Sequence, residues 1–440
     1  MTYSNKDFKK LGDRIRANSQ DISENDYRML QQLRISYKDS LSIVFNCLEE
    51  LAHKVDRDCV CTYRIKRIES IISKIKRFPE MQINRAEDIA GCRCILSTEE
   101  QVYKLHDAIL RRKNKLPFEI KGKINDYIEY PKDSGYKSIH INVAIKGETK
   151  RIEIQLRCLK HHNWATLVEI TDLLYNLKLK ETGDGSNPEL FQLHQLLSKD
   201  NKNLTSRDSL FIANTAIKYS YIIKLGEVFA QNYIDVRKHW NSLKMKQNHF
   251  FLISTGQDGK PEILGFSNFD TAESKYYDKF THNEYNKNIV LTHLRQTSFA
   301  KISVAYSNYF LTFNNTIILI LSHLSKAVVY SFKKNEICSF CKYYQTFLDI
   351  MMFWMEKQIV EFESFACDKN LRRSKKKHNE WAYTINQGIC IFNEMFRRTQ
   401  DELKFNIKNI LTYYLMKQRY NRFISVINQK FNIKNDAKEI

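Results

Sequence analysis

Arg151-Ile152-Glu153-Ile154-Gln155-Leu156-Arg157 alternates polar and apolar side chains without a break. A period of two fits a half-buried β-strand. Such a strand turns Ile152, Ile154 and Leu156 toward a core and lines up Arg151, Glu153, Gln155 and Arg157 on the other face. Solvated strand faces more often carry Thr, Ser and Lys. Here a lone carboxylate stands among two guanidinium groups and an amide. That set suits holding polyphosphate and a metal ion, or taking a proton from a hydroxyl. The alternative is an exposed edge strand with cross-strand ion pairs.

Ser138 to Lys146 alternates in the same way, with Ile139, Ile141, Val143 and Ile145 on one side and His140 and Asn142 on the other. The short connection Lys146-Gly147-Glu148-Thr149-Lys150 predicts a hairpin. Antiparallel neighbours share their faces, so His140, Glu153, Gln155 and Arg157 are candidates for one cleft.

The 440 residues allow two or three domains. The formal charge of +20 favours polyanions, whether nucleotides, nucleic acid or acidic membranes. No secretory signal opens the chain. Thr316 to Leu321 and Ile350 to Met355, its most apolar stretches, fall short of the roughly 18 residues of a membrane span. A cytoplasmic protein without membrane association is expected, its ten cysteines mostly reduced. Cys338-Ser339-Phe340-Cys341, with Cys367 and His378 beyond, has irregular spacing for zinc, and buried thiols on helices are the preferred reading.

The predicted fold class is α+β: a mixed sheet flanked by helices, then a small α/β segment and a largely helical C-terminal region. The expected divisions are 1–185, 186–315 and 316–440, with Thr182 to Pro188 as the clearest boundary. Helices are expected over Asp26 to Lys54, Arg64 to Arg77, Glu99 to Lys113, Leu159 to Leu177, Thr271 to Phe280 and Ser298 to Tyr306. Further strands are expected at Gly91 to Ser97, Phe118 to Ile120, Ile124 to Ile128, His249 to Ser254, Glu262 to Phe266 and Ile289 to Thr292.

Three more clusters carry chemistry. Lys66, Ser70 and Lys74 are each four apart, so on a helix they share a face, with Arg64 at its start. Cations and a hydroxyl at a helix N-terminal end can hold phosphates, and a solvated basic face is the alternative. Asp88 precedes a strand containing Gly91 and Arg93. Asp88 could ligate Mg²⁺ and Arg93 could stack on a base or pair a phosphate; a cap and a surface arginine would look the same. Between Pro131 and Gly135 runs a loop in which Lys132 could hold a phosphate and Tyr136 could stack on a base.

Taken in order, these segments resemble the RelA/SpoT-type alarmone synthetase domain. That family's Arg-x-Lys-x-x-x-Ser is matched by Arg64, Lys66 and Ser70. Its Asp-x-x-Gly-x-Arg is matched by Asp88, Gly91 and Arg93. Lys-x-x-Gly-Tyr-x-Ser-x-His is matched by Lys132, Gly135, Tyr136, Ser138 and His140, and Glu-x-Gln-x-Arg by Glu153, Gln155 and Arg157. A His…Trp-Ala helix is matched by His161 or His162 with Trp164 and Ala165. Each motif is weak alone; the ordered set, over about Asp26 to Leu177, is specific. The family usually has Asn where this chain has Ser134. It often has Glu-His shortly after Trp-Ala, where Val168-Glu169-Ile170 stands here. The hydrolase motifs of long members have no counterpart, and His106-Asp107 reads as a helix-surface pair.

The resemblance implies a nucleotidyltransferase-like, synthetase-only protein with a C-terminal extension, moving pyrophosphate from ATP to the 3′-hydroxyl of GTP or GDP with Mg²⁺. It assigns Asp88 and Glu153 to the metal and Glu153 to the proton. Arg64 and Arg93 would hold the adenine, and Lys66, Ser70 and Lys74 the ATP phosphates. Lys132, Tyr136 and His140 would hold the acceptor, with Gln155 and Arg157 beside them. Toxin-like relatives that act on the tRNA 3′ end are a rival. The basic runs Arg111-Arg112-Lys113-Asn114-Lys115 and Arg372 to Lys377 would suit RNA. A catalytically silent RNA-binding or regulatory protein, and a homo-oligomer, complete the expectations.

Overall fold

A computed structural model describes residues 3–17, 22–83, 86–179, 183–185, 187–226, 240, 248–255, 261–282, 289–294, 314–367, 375–403 and 410–431. The chain divides into two compact units. One comprises Met1–Ser186 with Asp235–Leu311, the other Asn187–Ile234 with Thr312–Ile440.

The first unit is a mixed sheet flanked by helices. Its elements in chain order are α1 (Asn5–Ala17), α2 (Glu24–Ile35), α3 (Lys38–Val55), β1 (Val60–Ile65), α4 (Ile68–Arg77), β2 (Ala90–Leu96), α5 (Glu99–Arg111), β3 (Phe118–Ile120), β4 (Asn125–Asp126), β5 (Ile139–Ile145), β6 (Ile152–Cys158), α6 (Leu159–Tyr175), β7 (Phe250–Thr255), β8 (Pro261–Phe266), α7 (Phe269–His282) and β9 (Val290–His293). The strands lie in the order β3-β5-β6-β2-β1-β9-β7-β8, with β4 also paired to β5. Only β2 and β6 run parallel among these pairs.

The alternation read in the sequence is the alternation of burial. Ile139, Ile141, Val143, Ile152, Ile154 and Leu156 are fully buried, beside Cys92, Cys94, Leu48 and Leu105. The expected hairpin forms as β5 and β6, antiparallel, with His140 opposite Gln155 and Asn142 opposite Glu153. Its loop holds Gly147 at φ +86°, a left-handed backbone that favours glycine.

Three expectations are corrected. The helix foreseen over Asp26 to Lys54 is two helices, parted where the Ser36 hydroxyl donates to the Leu33 carbonyl at 2.7 Å. The helix foreseen from Arg64 begins only at Ile68. Arg64 and Ile65 are strand residues of β1, opposite Gly91 and Ala90. The division into 1–185, 186–315 and 316–440 differs from the observed units, because β9 pairs with β1 and carries β7 and β8 into the first sheet. The expected helix Ser298 to Tyr306 lies outside the described residues.

The second unit contains the helices Pro188–Leu197, Ser206–Lys218, Asn314–Lys333, Ile337–Cys367, Lys375–Leu403 and Ile410–Phe431. Its core includes Phe332, Phe347, Trp354 and Phe392. A Cβ at Gly388 would lie within 2.8 Å of the Trp354 ring, so two long helices meet there only because a side chain is missing. Thr316–Lys333, with mean hydropathy 1.2, is long and apolar enough for a membrane span. The sequence reading had placed no stretch of that length here. More than half of the window, 56%, is buried within the protein, as in the core helix of a globular bundle. Cys338 and Cys341 are exposed, against the reading of buried thiols. Among the described residues no three metal-ligating side chains cluster. The side chains of Cys367 and His378 lie outside the description.

The seam between β1 and β9 is marked by a buried hydroxyl pair, Thr62 and Thr292, with their oxygens 2.7 Å apart. Thr292→Val should cost about 1–3 kcal/mol of stability by removing the buried hydroxyl that meets Thr62 and donates to the Tyr63 carbonyl. The double variant with Thr62→Val should lose less than the sum of the two single changes, measured by denaturant unfolding.

Candidate active site

Parallel pairing sets Gly91 beside Glu153 and Arg93 beside Gln155, while antiparallel pairing sets Arg64 opposite Gly91 and His140 opposite Gln155. Directly paired residues share a face. Arg64, Arg93, Glu153, Gln155 and His140 therefore stand on one face of four adjacent strands. Gly91 permits the close approach. A Cβ there would lie 3.0 Å from the Glu153 carbonyl oxygen, tighter than side chains ordinarily pack.

Asp88 ends the segment before β2 and is gripped from both sides. Lys66 Nζ donates to Oδ2 and Lys74 Nζ to Oδ1, each at 2.6 Å. Lys66 lies in the β1–α4 loop, Lys74 lies on α4, and half-buried Ser70 sits one turn before Lys74. The spacing of four thus delivers two cations to one carboxylate even though Lys66 is not helical. Burial works to raise the Asp88 carboxyl, but the two lysines hold it below its ordinary range. Burial lowers the Lys66 ammonium, with Asp88 opposing.

Glu153 heads a second network. His140 Nδ1 lies 2.8 Å from Glu153 Oε1, and Gln155 Nε2 donates to Oε2 at 2.6 Å. The Tyr136 hydroxyl lies 2.7 Å from His140 Nε2 and accepts from Arg157 Nη2 at 2.6 Å. Arg157 also donates to Gln155 Oε1 at 2.8 Å, and Arg93 Nε reaches the same oxygen at 3.4 Å. Burial presses Glu153 toward the neutral form, and Asp88 adds to that pressure by its charge. His140 and Gln155 outweigh them and keep Glu153 below its usual value. For His140, burial favours the neutral ring, yet Glu153 and Tyr136 raise it above 6.5. The electrostatic coupling of Asp88 to Glu153 places both carboxylates in one field.

The loop entering β5 is closed by Gly135, whose N–H donates to the Lys132 carbonyl at 2.7 Å with φ +90°. Lys132 Nζ lies 4.5 Å above the Tyr127 ring and 5.4 Å above the Tyr136 ring, and the Arg157 guanidinium lies 5.0 Å from Tyr136. Arg157 is buried, and its Nε has no hydrogen-bond partner. An unpaired buried donor beside an aromatic ring suits a polar, planar or anionic ligand.

Arg64, Arg93, Glu153, Gln155 and His140 are therefore on this face, with Tyr136, Arg157 and Lys132 tied to it by these contacts. Two contributors were not foreseen. Glu87 accepts from Asn142 Nδ2 at 2.8 Å and pairs with Arg151. Tyr127 stands edge-on to His140 at 5.3 Å. Glu87 adjoins Asp88, a signal that went unused. Tyr127 follows a strand of only two residues, too short to show a period. His161 and His162 are buried on α6, with His161 3.4 Å from Glu99. The pair His106-Asp107 is a 3.2 Å contact on the surface of α5, as expected.

Asp88 and Glu153 offer hard carboxylate oxygens, the donors Mg²⁺ takes, and each oxygen that accepts one N–H keeps a second lone pair. With two protein carboxylates, phosphates and water would complete the shell, as is usual for this ion.

Residues 63–178 match the model of the region found in RelA / SpoT proteins. That segment is a RelA/SpoT region. The chain is similar to the GTP pyrophosphokinase YwaC of Bacillus subtilis, 33% identical over 116 residues, or 24% of this chain and 53% of the relative. YjbM of the same organism, also a GTP pyrophosphokinase, is 30% identical over 128 residues, or 27% of this chain and 59% of that protein. The probable GTP diphosphokinase RSH3 of Arabidopsis thaliana is 27% identical over 143 residues, or 32% of this chain but 19% of that protein. The chain thus spans about a fifth of the plant relative and just over half of the bacterial ones. Small alarmone synthetase 1 from Bacillus subtilis, solved with its product pppGpp, aligns at 21% identity and a TM-score of 0.30, covering 40% of this chain and 100% of that one.

The RelA/SpoT region couples its acid and its imidazole. In Glu153→Gln the His140 ring loses its anion and keeps its burial, so its pKa should fall from above 6.5 to below it. Histidine NMR titration, with His140→Asn to assign the signal, measures this shift. The sign for stability follows. The raised His140 contributes below about pH 6.5, and its share is lost as pH climbs through the raised value. The lowered Glu153 contributes above the usual carboxylate range, and its share is lost as pH falls through the lowered value.

Proposed function

We propose that the chain transfers pyrophosphate from ATP to the 3′-hydroxyl of GTP or GDP. The observation that carries this reading is the pairing of two separately compensated carboxylates, Asp88 and Glu153, on one cationic face of a RelA/SpoT region. The acceptor oxygen attacks the β-phosphorus of ATP, the bond from that phosphorus to the α–β bridging oxygen breaks, and AMP departs with the electron pair. The proton of the hydroxyl passes to Glu153.

The side chains divide that work. Arg64 and Arg93, on adjacent strands, take the adenine between them. Lys66, Ser70 and Lys74 bind the ATP phosphates. Tyr136 stacks on the acceptor base, while Lys132, His140 and Arg157 bind its phosphates, with Gln155 orienting Glu153. Mg²⁺ held by Asp88 and Glu153 would neutralise charge accumulating on the bridging oxygens.

Two polyphosphates repel, and the arginines, the lysines and His140 named here offset that repulsion. His140 links binding to chemistry. While it bonds Glu153, the carboxylate is a weak base. When an acceptor phosphate draws the imidazolium away, the burial that already presses on Glu153 is no longer opposed by it. Glu153 then becomes a stronger base as the acceptor arrives.

Glu153→Gln should abolish transfer, beyond a ~10²–10⁴-fold loss, while ATP still binds. A variant that kept native turnover would refute the role of Glu153. Labelled ATP offered with GTP, GDP or bulk tRNA should give labelled guanosine product and unlabelled RNA. Label in tRNA would transfer the reading to an RNA acceptor, to which the exposed run from Arg111 to Lys115 would then belong.

A further inference from the structure

Three side chains from outside residues 63–178 close around the loop that carries Lys66. Arg34 on α2 is wholly buried and pairs with Glu273 on α7, which is 1% exposed. Nη1 donates to Oε2 at 3.0 Å and Nη2 to Oε1 at 3.2 Å, a two-pronged contact. Gln31 Nε2 donates to the same carboxylate at 2.8 Å. The third arginine nitrogen, Nε, donates to the main-chain carbonyl of Lys66 at 2.9 Å.

Tyr276 stands three residues after Glu273 on α7, with its ring 3.9 Å from the Arg34 guanidinium carbon. Its hydroxyl accepts the Ile68 N–H at 3.1 Å. Ile68 is the first residue of α4, where no carbonyl within the helix can accept that N–H, and the Arg67 side chain supplies no cap. The N–H of Lys66 donates to the Ile89 carbonyl at 2.7 Å. Both main-chain polar groups of Lys66 and the first N–H of α4 are therefore fixed. Two of these three bonds come from side chains that the RelA/SpoT region does not contain.

We propose that Arg34, Glu273 and Tyr276 are positioning residues for the ATP phosphate subsite, holding the β1–α4 loop so that Lys66 and Lys74 converge on Asp88 and a triphosphate. This rests on the nucleotide reading given above. A buried ion pair can often be replaced by apolar residues without loss of stability. A pair whose third bond goes to a loop carbonyl fixes a position as well as filling a core. Lysine side chains are flexible, so the placement of their Cα atoms decides whether both reach one carboxylate. The segment carrying β7, β8, α7 and β9 is on this view part of the donor site, through the position it gives the Lys66 loop.

Tyr276→Phe removes one oxygen and leaves the ring over Arg34. Its affinity for a non-hydrolysable ATP analogue should fall about tenfold, with GTP affinity unchanged. Arg34→Lys keeps a positive charge opposite Glu273 but gives up the planar fork, and it should show the same ATP-selective loss. Calorimetric titration of each nucleotide reads both, and a merely structural role would weaken both nucleotides alike. In the native chain, hydrogen exchange should find the Ile68 amide as protected as those of Ile71 and Ile72, a reading that needs no variant. Free exchange at Ile68, or native ATP affinity in Tyr276→Phe, overturns the inference alone. A native chain that binds no ATP overturns the proposed function and this inference with it.

Discussion

Gly91 and Glu153 meet across the parallel strand pair so closely that a Cβ on Gly91 would lie 3.0 Å from the Glu153 carbonyl oxygen. That contact sets how β2 and β6 register, and register decides everything else on the sheet. A slip of one residue would turn Glu153, Gln155 and Arg157 into the core and Ile152, Ile154 and Leu156 out to water. With the pairing fixed, Gly91 falls beside Glu153, and β1 carries Arg64 to the same neighbourhood. The glycine serves here through what it lacks, not through a special backbone angle.

The polar face built this way is costly to hold. Two partly buried carboxylates on one surface repel each other, as the effect of Asp88 on Glu153 shows. The chain answers with a separate compensating set for each: two lysines for Asp88, an imidazole and an amide for Glu153. The division matters chemically. Two point charges hold the Asp88 carboxyl below its ordinary range against the pull of burial, as would suit a metal ligand. Glu153 depends on a histidine whose own protonation can change, as the proposed role of Glu153 as a base would require.

The hairpin and the shared polar face of its strands were legible because both strands alternate strictly and their connection is short, so sequence neighbours became spatial neighbours. Asp88, Gly91 and Arg93 were legible as a set through family resemblance, not through periodicity. Arg64 was misassigned to a helix because Ile65, Ile68, Ile71, Ile72 and Ile75 continue one apolar stripe across the real boundary. Ile65 is buried under the sheet and the others under α4, and hydropathy does not distinguish these surroundings. The grip of Lys66 and Lys74 on Asp88 was not foreseen, because the spacing of four showed that the two cations share a side and did not show which group they meet.

The late strands and α7 show the other limit of local reading. Each was foreseen as an element, yet nothing near Val290 says that its partner will be Tyr63 or Arg64, more than two hundred residues earlier. Such pairing is decided by what the edge of β1 otherwise exposes. An uncovered strand there would leave a row of unpaired backbone groups open to other chains. β9 covers it, Thr292 meets Thr62, and the same segment delivers Glu273 to a guanidinium that would otherwise be buried without a counter-charge. One segment thus closes the sheet edge and neutralises the arginine that holds the Lys66 loop. For that reason the RelA/SpoT region in this chain is better regarded as completed by residues 249–294 than as followed by them.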